Sequence, residues 1–348
     1  MDENKFDIIV YGGGIAGLSL AQRLVNANYR VLILDHRKAR GKNKICSGII
    51  TKRSYKLLSE LYDINDLCKY CVIDTLKSFK LKAWTTADID GVKLRVVNRH
   101  RFDIFLTNQY KDTRGKLIDN CGKVTFDFEN NLVIVDGHKY KYDILVGADG
   151  VNSPLRYAAT GHYQDKYISM QAICAPAIPE AIYEFEIDFN GYYWYIATQK
   201  RTYIGAGEIG HDHGIVMHYN RVLKRHNLKI VESPQTAYRP TGNDIELVAK
   251  EYSNVFFVGD AAGLISPLTG EGIYYALVSS KMLADSIINR KSYEKCMKKT
   301  INDINNALTY KTRMHNYIYR TLCILIMSLN LRFSKKMKRK LIKKLNLD

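Results

Sequence analysis

Apolar positions change their spacing along the chain, and the order of the changes predicts a divided α/β architecture. Phe6-Asp-Ile-Ile-Val10 and Val31-Leu-Ile-Leu-Asp35 are nearly continuous apolar runs, as in parallel strands covered on both faces. Between them, Leu18-Ser-Leu-Ala-Gln-Arg-Leu24 has helical apolar spacing, so the chain opens with a β-α-β unit. A basic loop from Arg37 to Lys44, the segment Ile45-Cys-Ser-Gly-Ile-Ile50 and a helical stretch to about Tyr62 follow. The period then becomes two. Thr75 to Trp84 and Val92 to Val97 alternate apolar and polar residues and read as strands of a half-exposed sheet, with a short helix from Arg101 to Tyr110. Lys123 to Phe128, Asn131 to Val135 and Lys139 to Tyr142, separated by Glu-Asn and Asp-Gly turns, predict a small meander. It leads into a buried strand, Ile144-Leu-Val-Gly-Ala-Asp-Gly150. Ser169 to Glu208 is strand-like and aromatic, Asn254 to Asp260 returns to a buried apolar run, and Gly270 to Asn289 has the pattern of a long helix.

The expected fold class is therefore α/β: a Rossmann-like nucleotide-binding domain with an inserted antiparallel β-sheet domain and a helical C-terminus. Residues 1-74, 98-160 and 250-290 are assigned to the first, 75-97 and 161-249 to the second. Residues 291-348 form the C-terminal segment.

Two segments carry the nucleotide reading. Tyr11-Gly-Gly-Gly-Ile-Ala-Gly17 lies between strand and helix, as a phosphate-binding turn requires. Gly12 permits the tight turn, Gly14 lets a pyrophosphate approach, and Gly17 allows close packing, while the N–H groups around Ile15 and Ala16 face the anion. Asp35, followed by His36, ends the second strand where a carboxylate accepts ribose hydroxyls. This fingerprint alone is ambiguous between NAD and FAD. The second segment, Val258-Gly-Asp-Ala-Ala-Gly263 with Gly270-Glu-Gly-Ile273, resolves it toward FAD. Asp260, after Gly259, suits a ribityl chain, and a helix starting near Gly270, Gly272 and Ile273 suits negative charge on a reduced flavin. Gly205-x-Gly-x-x-Gly210 also matches the dinucleotide pattern, but no acid-tipped strand follows it, and it reads as a chance match.

Composition narrows the partners. The 348 residues are 46% hydrophobic and 11% aromatic, an ordered globular chain, and the net charge of +17 points to anionic company. Eight basic residues and no acid lie between Arg332 and Lys344, directly after the apolar stretch Thr321 to Leu331. That stretch is too short to span a bilayer, which takes about 20 residues, but suits an anionic membrane surface. A terminal helix packed on the body with a solvated basic tail fits equally well. A nucleic-acid partner is not expected, because no helix-turn-helix, zinc module or ribonucleoprotein signature accompanies the charge. The polar N-terminus leads straight into a strand, and seven irregularly spaced cysteines fit a reducing compartment, so a cytoplasmic protein is expected, peripheral at most on the membrane. Neither Cys68-Lys-Tyr-Cys71 nor the pair His211 and His213 completes a metal-ligand set, and no metal is expected.

The chain resembles the FAD-dependent oxidoreductases of the para-hydroxybenzoate hydroxylase fold, and within them the geranylgeranyl reductase family. Arg99-His-Arg-Phe-Asp-Ile-Phe-Leu106 is similar to an Arg-x-x-Phe-Asp-x-x-Leu element whose arginine approaches the flavin nucleotide, and Gly147-Ala-Asp-Gly150 to a motif that makes Asp149 a cofactor residue. Lys44-Ile-Cys-Ser-Gly48 resembles a Pro-Cys-Gly-Gly loop beside the isoalloxazine, which implies Cys46, Ser47 and Gly48 at the ring. Gly191-Tyr-Tyr-Trp-Tyr-Ile-Ala197 resembles the Tyr-x-Trp-x-Phe-Pro segment of the substrate sheet. Ser47 replaces a glycine and Ile-Ala replaces Phe-Pro, which leaves the substrate open. The aromatic segment also faintly resembles that of flavin halogenases, without its first tryptophan.

The resemblance implies hydride transfer from flavin N5 to a carbon–carbon double bond of a prenyl or other hydrophobic substrate, with protonation of the adjacent carbon. Cys46 is the leading proton donor, and Tyr192, Tyr193 and Trp194 line the pocket, Tyr193 and Trp194 being counted with Cys46 as catalytic. The alternative is an FAD-dependent monooxygenase acting on an aromatic or polyketide-like substrate. No second complete fingerprint exists for a nicotinamide, so NADPH, NADH or ferredoxin all remain as electron donor.

Overall fold

The structure is a computed structural model and describes residues 4–37, 45–76, 78–82, 86–88, 94–177, 182–187, 191–208 and 213–314. Three sheets divide the work. In the first, Lys5–Tyr11 lies parallel between Val31–Asp35 and His138–Gly147, with Ile8 opposite both Val31 and Ile144. Lys116–Asp119 extends it beyond Val31–Asp35, and Val255–Phe257 pairs parallel with His138–Gly147. Ile8, Ile9 and Val10 are fully buried, because helices and meander cover both faces. The antiparallel meander Val124–Asp127, Leu132–Val135 and His138–Gly147 turns at Asp136-Gly137, where both residues have positive φ (49° and 87°) and so match the twist of a two-residue hairpin.

The second sheet runs Lys229–Pro240, Lys166–Ala175, Thr202–Glu208, Gly191–Ala197, Ile182–Ile187, Ser78–Lys82, Thr86–Asp88. A small third sheet joins Ile49–Ile50, Leu94–Val97 and Val72–Leu76. The alternating segment from Thr75 is therefore not one strand: Val72–Leu76 stays with the third sheet, and Ser78–Lys82 crosses to the second. The two expected strands Lys139 to Tyr142 and Ile144 to Gly150 are one continuous strand. The helix expected over Arg101 to Tyr110 begins earlier, at Arg99, where the Asn98 side chain accepts from the Arg101 N–H.

Helices Ile15–Asn26 and Ile273–Ile288 pack together over the first sheet, and Ser280 Oγ donates to the Ala16 carbonyl at 2.7 Å. Tyr293–Met314 is the last described helix; the apolar stretch 321–331, the basic run 332–344, Trp84 and His211 lie outside the described residues.

Candidate active site

Two strand-to-helix turns open on one cavity. At the end of Lys5–Tyr11, Gly12 has φ +111°, and a Cβ there would lie 2.4 Å from the Ala148 carbonyl carbon. At Gly17 a Cβ would lie 1.9 Å from the Gly12 carbonyl oxygen, so both glycines are demanded by backbone contact. Gly14 differs: nothing lies within 4 Å of its missing Cβ, and it borders the cavity with Ile15 and Ala16. The second turn leaves Val255–Phe257, passes Gly259 and Asp260, and enters helix Ile273–Ile288 behind Gly270 and Gly272. Neither helix start has a side-chain cap or an acid in its first turn. Their free N–H groups are attractive to an anion.

The cavity holds about 950 Å³ of unfilled space, part of it open to solvent. Asp260, Gly270, Gly272 and Ile273 line it opposite Gly14, together with Cys46, Ser47, Arg99 and Trp194. The Asp260 loop is clamped from behind. Gln164 Nε2 donates to the Asp260 carbonyl at 2.5 Å, and the buried Arg156 donates to the Ala261 carbonyl while pairing with Asp244 at 2.7 Å. Glu271 fixes the helix entry by accepting from Thr51 at 2.8 Å and Arg53 at 2.5 Å.

Five residues expected at the site are placed differently. The Asp35 carboxylate is buried and already accepts from the Gly13 N–H at 3.2 Å and from Arg37 Nη2 at 2.6 Å; it borders the glycine turn rather than the cavity. His36 turns outward, its side chain 60% exposed. Asp149 takes Ser153 Oγ at 2.6 Å and the Leu155 N–H at 3.2 Å, so it serves helix Pro154–Thr160; its neighbours Ala148 and Gly150 face the cavity. Burial pushes the Asp149 carboxyl up to about 7 against those hydrogen bonds. Tyr193 faces away. It stacks on His218 at 4.3 Å in the core beneath helix His213–Arg225, because alternate residues of a strand point to opposite sides. Gly48 supports rather than lines: it has φ +71°, its missing Cβ would sit 2.3 Å from the Val97 carbonyl oxygen, and its N–H meets Cys46 Sγ at 3.4 Å.

Another wall of the cavity is built by Tyr183, Tyr192 and Trp194 from neighbouring strands, with Arg239 from the far edge of the sheet. Glycines make room for these rings. Trp194 lies across Gly205, where a Cβ would be 1.9 Å from the indole, and Tyr192 lies across Gly207 and against Gly270. The Tyr192 and Tyr167 hydroxyls are 2.9 Å apart and buried. Burial raises the Tyr192 phenol, with Tyr167 and Arg239 opposing the rise, so Tyr192 holds its proton. For Cys46, burial pushes the thiol up, but Arg99, Arg239 and the Gly48 N–H outweigh it and the net direction is down. No motif in the sequence marks Arg239 or Tyr167, nor the hold of Arg37 on Asp35.

These residues fit FAD on structural grounds. Two uncapped helix starts and Arg99 suit a diphosphate. The Asp260 carboxylate, which accepts no hydrogen bond from a described residue, suits sugar hydroxyls, and the Trp194 indole N–H is buried at the cavity without a partner. Among the described residues, one group of metal-ligand type gathers, His162 with Asp244 and Glu246, and Arg156 already pairs with both carboxylates.

Comparison with known proteins agrees. Residues 10–42 match the NAD(P)-binding Rossmann-like domain. A geranylgeranyl diphosphate reductase of Rhodobacter capsulatus is 25% identical over 299 residues, covering 81% of this chain and 75% of that protein. A geranylgeranyl bacteriochlorophyll reductase-like structure from Thermoplasma acidophilum superposes with a TM-score of 0.75 at 17% identity, over 97% of this chain and 96% of the other. A halogenase, PltM, in complex with FAD gives a TM-score of 0.66 at 16% identity, over 88% of this chain and 75% of that one. Site, fold and relatives identify the chain as a flavin-dependent oxidoreductase with a Rossmann-like FAD domain, related to the geranylgeranyl reductase-like proteins.

Proposed function

We propose that the protein reduces carbon–carbon double bonds of a hydrophobic, prenyl-like substrate. The observation that carries this reading is the composition of one cavity: phosphate-binding turns on one wall, Tyr183, Tyr192 and Trp194 on the other, and two titratable groups, Cys46 and Tyr192, at its edge. FAD held here would supply hydride chemistry at its reduced N5. The chain supplies binding, exclusion of water and a proton. Gly14 and the start of helix Ile15–Asn26 hold the diphosphate, and Asp260 accepts sugar-chain hydroxyls. The start of helix Ile273–Ile288 favours nearby negative charge by about 0.3–1 kcal/mol, more when buried. The aromatic wall holds a flat or isoprenoid chain. Hydride addition at one alkene carbon requires a proton at its neighbour, which a positioned acid must deliver.

The basic run 332–344 beside an apolar stretch supports a lipid source for the substrate, met at an anionic membrane surface. Among the described residues no helix is long and apolar enough to cross a membrane.

The test is anaerobic incubation of the dithionite-reduced protein with geranylgeranyl diphosphate, read by mass spectrometry. The expected product gains two hydrogens for each bond reduced. A colourless protein that takes up no added FAD overturns the flavin assignment. A parallel incubation of the reduced protein in air that returns the substrate carrying an oxygen atom would favour the monooxygenase reading instead.

A further inference from the structure

Two guanidiniums act on Cys46, and they come from different parts of the fold and are compensated differently. Arg99, at the start of helix Arg99–Lys111, donates Nη2 to Asp103 at 3.0 Å and also hydrogen-bonds the thiol; Asp103 is in turn 3.8 Å from Arg37. The charge of Arg99 is thus shared within a buried chain of ion pairs. Arg239, next to last in strand Lys229–Pro240, donates Nη2 to the carbonyl of Ile45, the residue before Cys46, and makes no ion pair among the described residues. It ties the edge of the substrate sheet to the thiol loop, and its positive charge is left facing the cavity.

We infer that Arg239 is a positioning residue that holds the Ile45–Gly48 loop at the cavity and favours the thiolate form of Cys46, leaving Tyr192 as the proton donor.

The groups that face Cys46 are Arg99, Arg239, the Gly48 N–H at 3.4 Å and Tyr192 from the aromatic strand. The first three favour the anion, and the phenol, raised by burial, adds no charge. The neighbouring Trp194 indole N–H, 6% exposed as a residue and without a partner, marks the same pocket as built to receive a polar ligand. A thiolate accepts protons and donates none. Tyr192 can donate: its O–H bond breaks as the electron pair of the substrate carbanion forms the new C–H bond, and the O–H pair stays on the phenolate oxygen. That oxygen is 2.9 Å from Tyr167, which can donate a hydrogen bond to it, and both hydroxyls feel the Arg239 charge. Assigning the proton rests on the proposed reductase reading; the state of Cys46 does not.

The experiment is alkylation of the as-purified flavoprotein with iodoacetamide across the neutral pH range, with Cys46 followed by peptide mass spectrometry. Cys46 should react at a pH where ordinary thiols are still protonated. Arg239→Gln should slow it at neutral pH by about tenfold, and Arg239→Lys, which keeps the charge but loses the fork, should fall between. A wild-type Cys46 that is unreactive at neutral pH, or an Arg239→Gln profile that overlays the wild type, overturns the inference. Flavin absorbance reports folding of each variant. Should Arg239→Gln lose its flavin, the Arg239→Lys profile decides. No substrate is involved, so this result stands apart from any failure of the reductase assay.

Discussion

Tyr192 and Tyr193 differ by one backbone step and face different environments. Tyr192 reaches the cavity, with its hydroxyl 2.9 Å from that of Tyr167; Tyr193 stacks on His218 on the far side of the sheet. The substitution Tyr192→Phe removes the cavity hydroxyl and leaves the Tyr167 hydroxyl without that partner, at about 1–3 kcal/mol. It should slow single-turnover reduction of an alkene substrate about 100-fold, the low end of what a positioned acid contributes, with FAD retained. Tyr193→Phe should leave turnover within about twofold, since its ring faces the core, and any effect should appear in the thermal midpoint alone. Equal rates in wild type and Tyr192→Phe would remove the hydroxyl from the mechanism. That one of the adjacent aromatics must face the core was legible in the alternation of the strand. Which parity faces the cavity was not, because it depends on the partner strands. Likewise the acid at the end of the second strand was legible, but its occupation by Arg37 depends on a side chain folding back over Gly13.

At the scale of elements, Gly205 and Gly207 show how a motif can be matched for the wrong reason. They spell half of a dinucleotide fingerprint, yet they lie in mid-strand, directly opposite Trp194 and Tyr192. Each gives up a side chain so that a ring can lie flat across the backbone. Gly205→Ala would put a methyl 1.9 Å from the indole, so the ring would have to leave its seat on the strand. Overpacking of this kind costs about 1–3 kcal/mol. We expect a lower thermal midpoint and altered tryptophan emission, since Trp84 is the chain's only other indole. Emission and midpoint both unchanged would mean that the ring does not rest on Gly205. The buried strands and the two turns of the nucleotide domain were readable because burial on both faces forces apolar runs, and close backbone approach forces glycine. Lys116–Asp119 and Lys229–Pro240 were not, because both are largely solvent-facing edges and nothing imposes a period on them. Arg239 sits on such an edge, which explains why no sequence signal announced it.

At the scale of the whole molecule, the proposed lipid substrate draws on two features, the charge of the chain and the aromatic wall of the cavity. A net charge of +17, with eight basic residues and no acid between Arg332 and Lys344, has no evident use in an enzyme whose substrates are all neutral and freely soluble, whereas a prenyl lipid is presented at an interface. Basic residues near an anionic surface contribute about 1 kcal/mol each, an attraction that falls off within a Debye length of about 10 Å at 0.1 M salt and about 3 Å at 1 M. The protein should therefore sediment with vesicles containing phosphatidylglycerol at low salt, be released at high salt, and ignore purely phosphatidylcholine vesicles. Apolar insertion predicts something else: binding that survives high salt, because buried hydrocarbon is not screened. Ending the chain before residue 321 separates the sources. If binding is lost while the FAD spectrum is kept, the apolar stretch and the basic run together make the contact. If binding is kept, the remaining surface makes it. A full-length protein that never sediments with anionic vesicles at low salt removes the membrane from the argument and leaves the substrate to be delivered from solution.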